Sequence, residues 1–87
     1  MKKDIINKNS NGKWDGEHER YRDNGQLWVK TTYSNGELHG EYLRYHSNGK
    51  LWIKTTYSNG KCHGEFESYH PDGSLDSRCN YDMGIQI

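Results

Sequence analysis

Apolar side chains are in short supply: only 30% of the 87 residues are hydrophobic. A large buried core is thereby excluded, because so short a chain hides a modest fraction of its surface even when well folded. By composition alone the chain leans toward disorder. Net charge is missing too, with 12 basic side chains against 12 acidic ones, so nothing global draws the molecule toward nucleic acid or a membrane. No run of residues approaches the length of a transmembrane span. The start carries Lys2 and Lys3 but no apolar stretch of signal-peptide length. With two cysteines and no export signal, the expectation is a cytoplasmic protein with reduced thiols and one domain at most.

Repetition is what the sequence has instead. The stretch NSNGKWDGEHERYRDNGQLWVKTT is followed by YSNGELHGEYLRYHSNGKLWIKTT and then by YSNGKCHGEFESYHPDGSL, so that Gly16, Gly40 and Gly64, like Tyr21, Tyr45 and Tyr69, keep one fixed interval. Three Trp, seven Tyr and one Phe supply wide apolar area per residue at regular spacing, the mark of an ordered sheet.

Asn-Gly or Asp-Gly closes at Gly12, Gly25, Gly36, Gly49, Gly60 and Gly73, in steps that are alternately longer and shorter, with Asp82-Met83-Gly84 as a weaker seventh turn. Such dipeptides between alternating residues signal hairpins. They predict a meander of about eight strands, each about five to eight residues long, and leave no room for an amphipathic helix. Pro71 suits the first position of a type I turn and excludes the positive φ of a type I′ turn, so Pro71-Asp72-Gly73 reads as a three-residue loop with a bulge. Extending that loop to Asp23-Asn24-Gly25, Ser34-Asn35-Gly36, Ser47-Asn48-Gly49 and Ser58-Asn59-Gly60 fixes every cross-strand pair.

On that register one face is aliphatic, with Tyr21 opposite Leu27, Leu27 opposite Leu43, Leu43 opposite Ile53 and Tyr45 opposite Leu51. The other is an aromatic and cationic ladder: Arg20 opposite Trp28, Trp28 opposite Tyr42, Tyr42 opposite Lys54, Arg44 opposite Trp52, Trp52 opposite Phe66, Phe66 opposite Arg78. Gly40 and Gly64 fall opposite Lys30 and Lys54. The charges separate as well. Asp15, Glu17, Glu19, Glu37, Glu41, Glu65 and Glu67 point to the aliphatic face, and Arg20, Arg22, Lys30, Arg44, Lys50, Lys54 and Arg78 to the aromatic one. Ring pairs and cation–π contacts of about 0.5–1.5 kcal/mol each can be the glue of a sheet without a covering layer. An aromatic patch rimmed by arginine is also what protein interfaces look like.

Reactive chemistry has little support. His39 and His63, and likewise His46 and His70, are separated by a whole strand, at least about 10 Å, too far to share a metal. Cys62 and Cys79 fall on opposite faces, so no disulfide is expected. No glycine-rich phosphate loop or nucleophile elbow occurs, and a sheet without a deep pocket lacks the walled environment of catalysis. Neither enzyme activity nor a cofactor is expected.

In NGELHGEYLRYHSNGKL and NGKCHGEFESYHPDGSL, asparagine-glycine is followed by glycine-glutamate-aromatic, tyrosine, a second turn glycine and leucine. The pattern resembles the MORN repeat in the variant form common in bacterial proteins, over about residues 9 to 87. The resemblance implies an all-β fold, a single-layer twisted antiparallel β-meander of MORN-like hairpin repeats. One domain spans residues 1–87, with repeats at about 9–32, 33–56 and 57–80 and capping strands at 1–8 and 81–87. It also implies a non-catalytic protein in which Gly16, Gly40, Gly64, Tyr21, Tyr45 and Tyr69 shape the repeat. Members mostly bind other proteins or themselves, anionic lipid binding has been proposed for some, and bacterial variant-repeat proteins are often labelled antitoxins. Trp28 and Trp52 are not repeat-shaping positions of the family and are candidates for this chain's own specificity. The third repeat ends in Leu75-Asp76-Ser77-Arg78-Cys79-Asn80, without the tryptophan and lysine of the first two.

The expected function is a protein-interaction module that binds and neutralises a partner protein, as an antitoxin or a phage-type inhibitor does. Arg20, Trp28, Lys30, Tyr42, Arg44, Trp52, Lys54, Phe66 and Arg78 are the candidate contact residues for an acidic partner surface. Terminal strands, with Ile85 and Ile87 at an edge, offer a second route, by strand addition to a partner or by homodimerisation. An alternative is a binder of anionic phospholipid or single-stranded nucleic acid through the basic aromatic face. A third is a shortened relative of a longer repeat array with no role of its own.

Overall fold

A computed structural model describes residues 3–87, so Met1 and Lys2 of the expected first capping strand lie outside the described residues. Turn glycines divide the chain into eight strands of one open antiparallel sheet. These are β1 (Gly16–Tyr21), β2 (Leu27–Ser34), β3 (Glu37–Tyr45), β4 (Leu51–Ser58), β5 (Lys61–Cys62), β6 (Gly64–Tyr69), β7 (Leu75–Asp82) and β8 (Ile85–Gln86). They follow one another in chain order, with the short β5 and then β6 both paired to β4. Ahead of β1, Ile5 and Lys8 bridge to Glu19 and Trp14. The molecule measures 41 × 37 × 10 Å, and the last figure leaves room for one layer only. The expected all-β, single-layer meander is what the chain forms.

Two kinds of turn alternate along it. At Asp23-Asn24-Gly25 the Arg22 N–H donates to the Gln26 carbonyl and the Gly25 N–H to the Arg22 carbonyl, both at 2.8 Å. This is the expected three-residue loop, and it recurs at 47–49 and 71–73. At 34–36 and 58–60 the expectation fails. Asn35 and Gly36 both have positive φ (51° and 89°), as do Asn59 and Gly60 (52° and 83°), and Ser34 pairs directly with Glu37 and Ser58 with Lys61. These are two-residue turns, whose twist matches that of the strands. Asparagine tolerates the left-handed region that proline cannot enter, so what Pro71 dictates holds for its own kind of loop only.

A bulge corrects the register further. Tyr21 pairs with Leu27, but Arg20 pairs with Val29, leaving Trp28 as an extra residue. Trp52 is extra between Leu51 and Ile53, and Asp76 between Leu75 and Ser77. One inserted residue shifts all later pairs by one and so exchanges the two faces. The Trp52 bulge places Tyr42 opposite Thr55 rather than Lys54, and between β2 and β3 the two-residue turn with a further irregularity between Thr31 and Tyr33 places it opposite Thr31 rather than Trp28. Phe66 lies opposite Cys79, not Arg78, and Ile53 opposite Arg44 and Ser68, not Leu43. Gly40 and Gly64 face Tyr57 and Tyr81 instead of lysines.

The charge separation is corrected in part. A continuous row Glu19, Lys30, Leu43, Lys54, Glu67, Arg78 crosses one face, so Lys30, Lys54 and Arg78 share the face of the strand glutamates. Arg78 donates from Nε to Glu67 at 3.0 Å and also from Nη2. Arg20, Val29, Arg44 and Ile53 form the neighbouring row on the other face, here called the ring face. Cys62 opposite Tyr57 and Cys79 opposite Phe66 both belong to it, so the expected opposite placement of the thiols is also overturned, and both are free.

Among the described residues no hydrophobic side chain is buried; the most enclosed are His18, Thr31, Thr55 and Glu67. Stability must therefore come from cross-strand pairs and from the margins. Gly36, Gly60 and Gly84 donate their N–H groups to the carbonyls of Trp14, Leu38 and Cys62 at 2.7–2.8 Å. Beside them Asp15, His39 and His63 accept from the N–H groups of Asn35, Asn59 and Met83. Each two-residue turn is thus tied to the preceding repeat at matching positions.

Candidate partner-binding face

Two stripes of side chains organise the ring face. The first is one ring cluster per repeat. Positions 18, 42 and 66 point to this face, and Tyr33, Tyr57 and Tyr81 stand across from Gly16, Gly40 and Gly64. A missing side chain opposite a tyrosine leaves room for its ring to lean toward its neighbour. Trp14, His18 and Tyr33 meet with ring centres 4.6–5.1 Å apart, Tyr42 meets Tyr57 at 5.6 Å and Phe66 meets Tyr81 at 5.9 Å. Burial pushes the Tyr57 and Tyr81 hydroxyls above the usual phenol range, with the neighbouring thiols adding to it.

The second stripe is built by the bulges, which turn Trp28 and Trp52 onto the same face as Val29 and Ile53. Arg22 and Arg44 lie 5.4 and 5.9 Å from the Trp28 ring centre, the first from the loop that follows β1 and the second from β3. Arg44 also lies 5.3 Å from the Trp52 ring, which His46 stacks at 5.0 Å. Arg20 stands 6.0 Å over Trp14. Ser68 occupies the repeat position of Arg20 and Arg44, so no guanidinium covers Trp52 from the third repeat, and that ring is 37% exposed.

Between the stripes opens a cavity of about 240 Å³, lined by Trp14, Tyr33, Trp28, Val29 and Tyr42 with Arg20, Arg44 and His18. Among the described residues neither the Arg20 nor the Arg44 guanidinium has a hydrogen bond or ion pair. The Nε of Arg44 and the Nδ1 of His18 are buried without a partner. His18 uses its Nε2 at 2.8 Å from the Asn7 carbonyl oxygen.

Of the residues singled out from sequence, Arg20, Trp28, Tyr42, Arg44, Trp52 and Phe66 share the ring face. Lys30, Lys54 and Arg78 do not; they stand in the charged row behind it. Sequence reasoning missed Trp14, His18 and the three glycine-facing tyrosines. The tyrosines could have been found from their own spacing, since Tyr33, Tyr57 and Tyr81 recur as regularly as the glycines.

Comparison with protein families gives a match to the MORN repeat variant at residues 14–35, 38–59 and 63–83. No curated protein and no solved structure matches the chain.

Proposed function

The chain belongs to the MORN repeat variant family, whose members are generally non-catalytic binding modules, and we propose that it binds a partner protein through the ring face and neutralises it. The observation that carries this reading is the pair Arg20 and Arg44, held on tryptophan rings over an aromatic cavity with no polar partner among the described residues. Buried or half-buried guanidinium and indole groups are what interface hot spots are made of. A broad ring face can cover a partner's working surface, as an antitoxin or inhibitor does, and a reducing cytosol suits the two free thiols. The described residues hold no helix long and apolar enough to cross a membrane.

The test is affinity capture from the source cell at moderate salt, with wild type beside a Trp28→Ala/Trp52→Ala variant whose circular dichroism still shows a folded sheet. One protein retained by wild type, lost by the variant and impaired in its own activity when bound is the expected result. Equal retention by both would move the interaction to the edge strands, where Ile85 and Ile87 are 70% and 77% exposed. Binding of single-stranded nucleic acid or acidic phospholipid that collapses with added salt would favour the anionic-polymer reading.

A further inference from the structure

We propose that the cavity between the first two tryptophans receives one large apolar side chain of an acidic peptide segment, whose flanking carboxylates are held by Arg20 and Arg44. The proposal rests on the ring face being the binding surface and specifies what that surface recognises.

Size is the first argument. At about 240 Å³ the cavity is smaller than the roughly 300–1,000 Å³ of sites for drug-sized molecules, and suits a single side chain. Its walls are the rings of Trp14, Tyr33 and Tyr42 and the methyls of Val29. An apolar anchor seated in such a pocket excludes water and gives the contact its hold.

Charge is the second. Arg20 and Arg44 flank Val29 in one row across three strands, so their backbones stand about 10 Å apart, one on each side of the cavity mouth. A guanidinium lying over an indole keeps its N–H edge free, in the fork geometry that matches a carboxylate. Neither arginine spends that edge on a described residue, and the buried Nε of Arg44 lacks a partner. The strand glutamates Glu17, Glu19, Glu41, Glu65 and Glu67 project from the opposite side of the sheet, which keeps the cations available. On the ring face Asp76 is engaged with His70 at 3.4 Å.

Ring coverage is the third, and it selects peptide over single-stranded nucleic acid. Base stacking needs an open ring, whereas Trp28 lies between Arg22 and Arg44 and Trp14 is met by Arg20, His18 and Tyr33.

The probe is the blocked pentapeptide acetyl-Glu-Glu-Phe-Glu-Glu-amide, titrated into the isotope-labelled protein and followed by amide chemical shifts. Saturable shifts are expected at Trp14, Val29, Thr31 and Arg44. Replacing Phe by Ala in the peptide, or Arg20→Gln/Arg44→Gln in the protein, should weaken binding at least about tenfold. Lys61→Gln, on the opposite face, should leave it unchanged. If the double variant loses its dispersed spectrum, Arg20→Gln alone is compared, since Arg20 touches one ring only. No saturable shift, equal binding of the Lys-for-Glu peptide, or tighter binding of an oligothymidylate at the same amides would overturn the proposal. A captured partner that needs Trp28 and Trp52 but ignores Arg20→Gln/Arg44→Gln would overturn it too, while leaving the interaction reading intact.

Discussion

Gly64 stands so close to Thr56 that a Cβ built on it would lie 2.8 Å from the threonine Oγ1. That hydroxyl is committed to the His63 carbonyl, and the glycine itself has φ 106°, so neither side can yield cheaply. Gly64→Ala is expected to lower unfolding free energy by about 2–3 kcal/mol, a steric clash added to left-handed strain. Gly12→Ala, at φ 78° with nothing within 4 Å, isolates the strain and should cost about 1 kcal/mol. Urea unfolding followed by tryptophan fluorescence compares them, and equal losses would refute the clash.

Arg44 touches two tryptophans, so its worth can be divided. Double-mutant cycles of Arg44→Met with Trp28→Leu and with Trp52→Leu should each return a coupling of about 0.5–1 kcal/mol. Couplings near zero would mean that the arginine stem, not its charge, does the packing.

The amide of Asn59 donates to the Nδ1 of His39 at 3.3 Å, in the place where Asp15 accepts from Asn35 in the repeat before. His39→Ala should therefore speed hydrogen exchange at Asn59 and cost about 0.5–1 kcal/mol. His39→Asp, which copies the first repeat, should keep the protection. Fast exchange in both variants would show that the turn holds without this acceptor.

Hydrogen bonding from Arg78 is the main cause that keeps the Glu67 carboxyl below the usual carboxylate range, and the Arg78 guanidinium is raised in return. A carboxyl with a lower value folded than unfolded contributes stability above its unfolded value, about 4.3, and loses it as pH falls through the folded one. Between about pH 6 and about pH 3 the wild type should lose more resistance to urea than Arg78→Gln, in which the main cause lowering the carboxyl is gone. Parallel profiles would remove the pair from the account.

The meander, the single layer and the repeat-shaping glycines were legible because each is written as a local signal that repeats: turn dipeptides, missing aliphatics, Gly16, Gly40 and Gly64 in step. The faces were not, because they depend on a parity that one residue inverts. Trp28 and Trp52 leave no local sign that they are bulged, and Asn35 carries no local sign of which loop it closes. The alternation of longer and shorter steps between turn glycines was that sign at longer range, since a three-residue loop and a bulge occupy one hairpin and a two-residue turn the next. Lys30, Lys54 and Arg78 were misplaced for this reason alone. Trp14 and His18 escaped notice because the first repeat departs from the other two where its cluster is built.

Ser68 stands where the first two repeats have arginine, and this breaks the equivalence of the array's two ends. Along the second stripe the order is arginine, tryptophan, arginine, tryptophan, serine, so the row has a heading, as a ruler does when only one end is marked. A partner lying across the ring face in one sense meets Trp28 between two guanidinium groups first and Trp52, open toward Ser68, last. Reversed, it meets the same groups in the wrong sequence. Three near-copies of one repeat would have offered three interchangeable berths; Ser68, with Asp76 where the first two repeats carry tryptophan, gives the sheet one orientation in which it can be read.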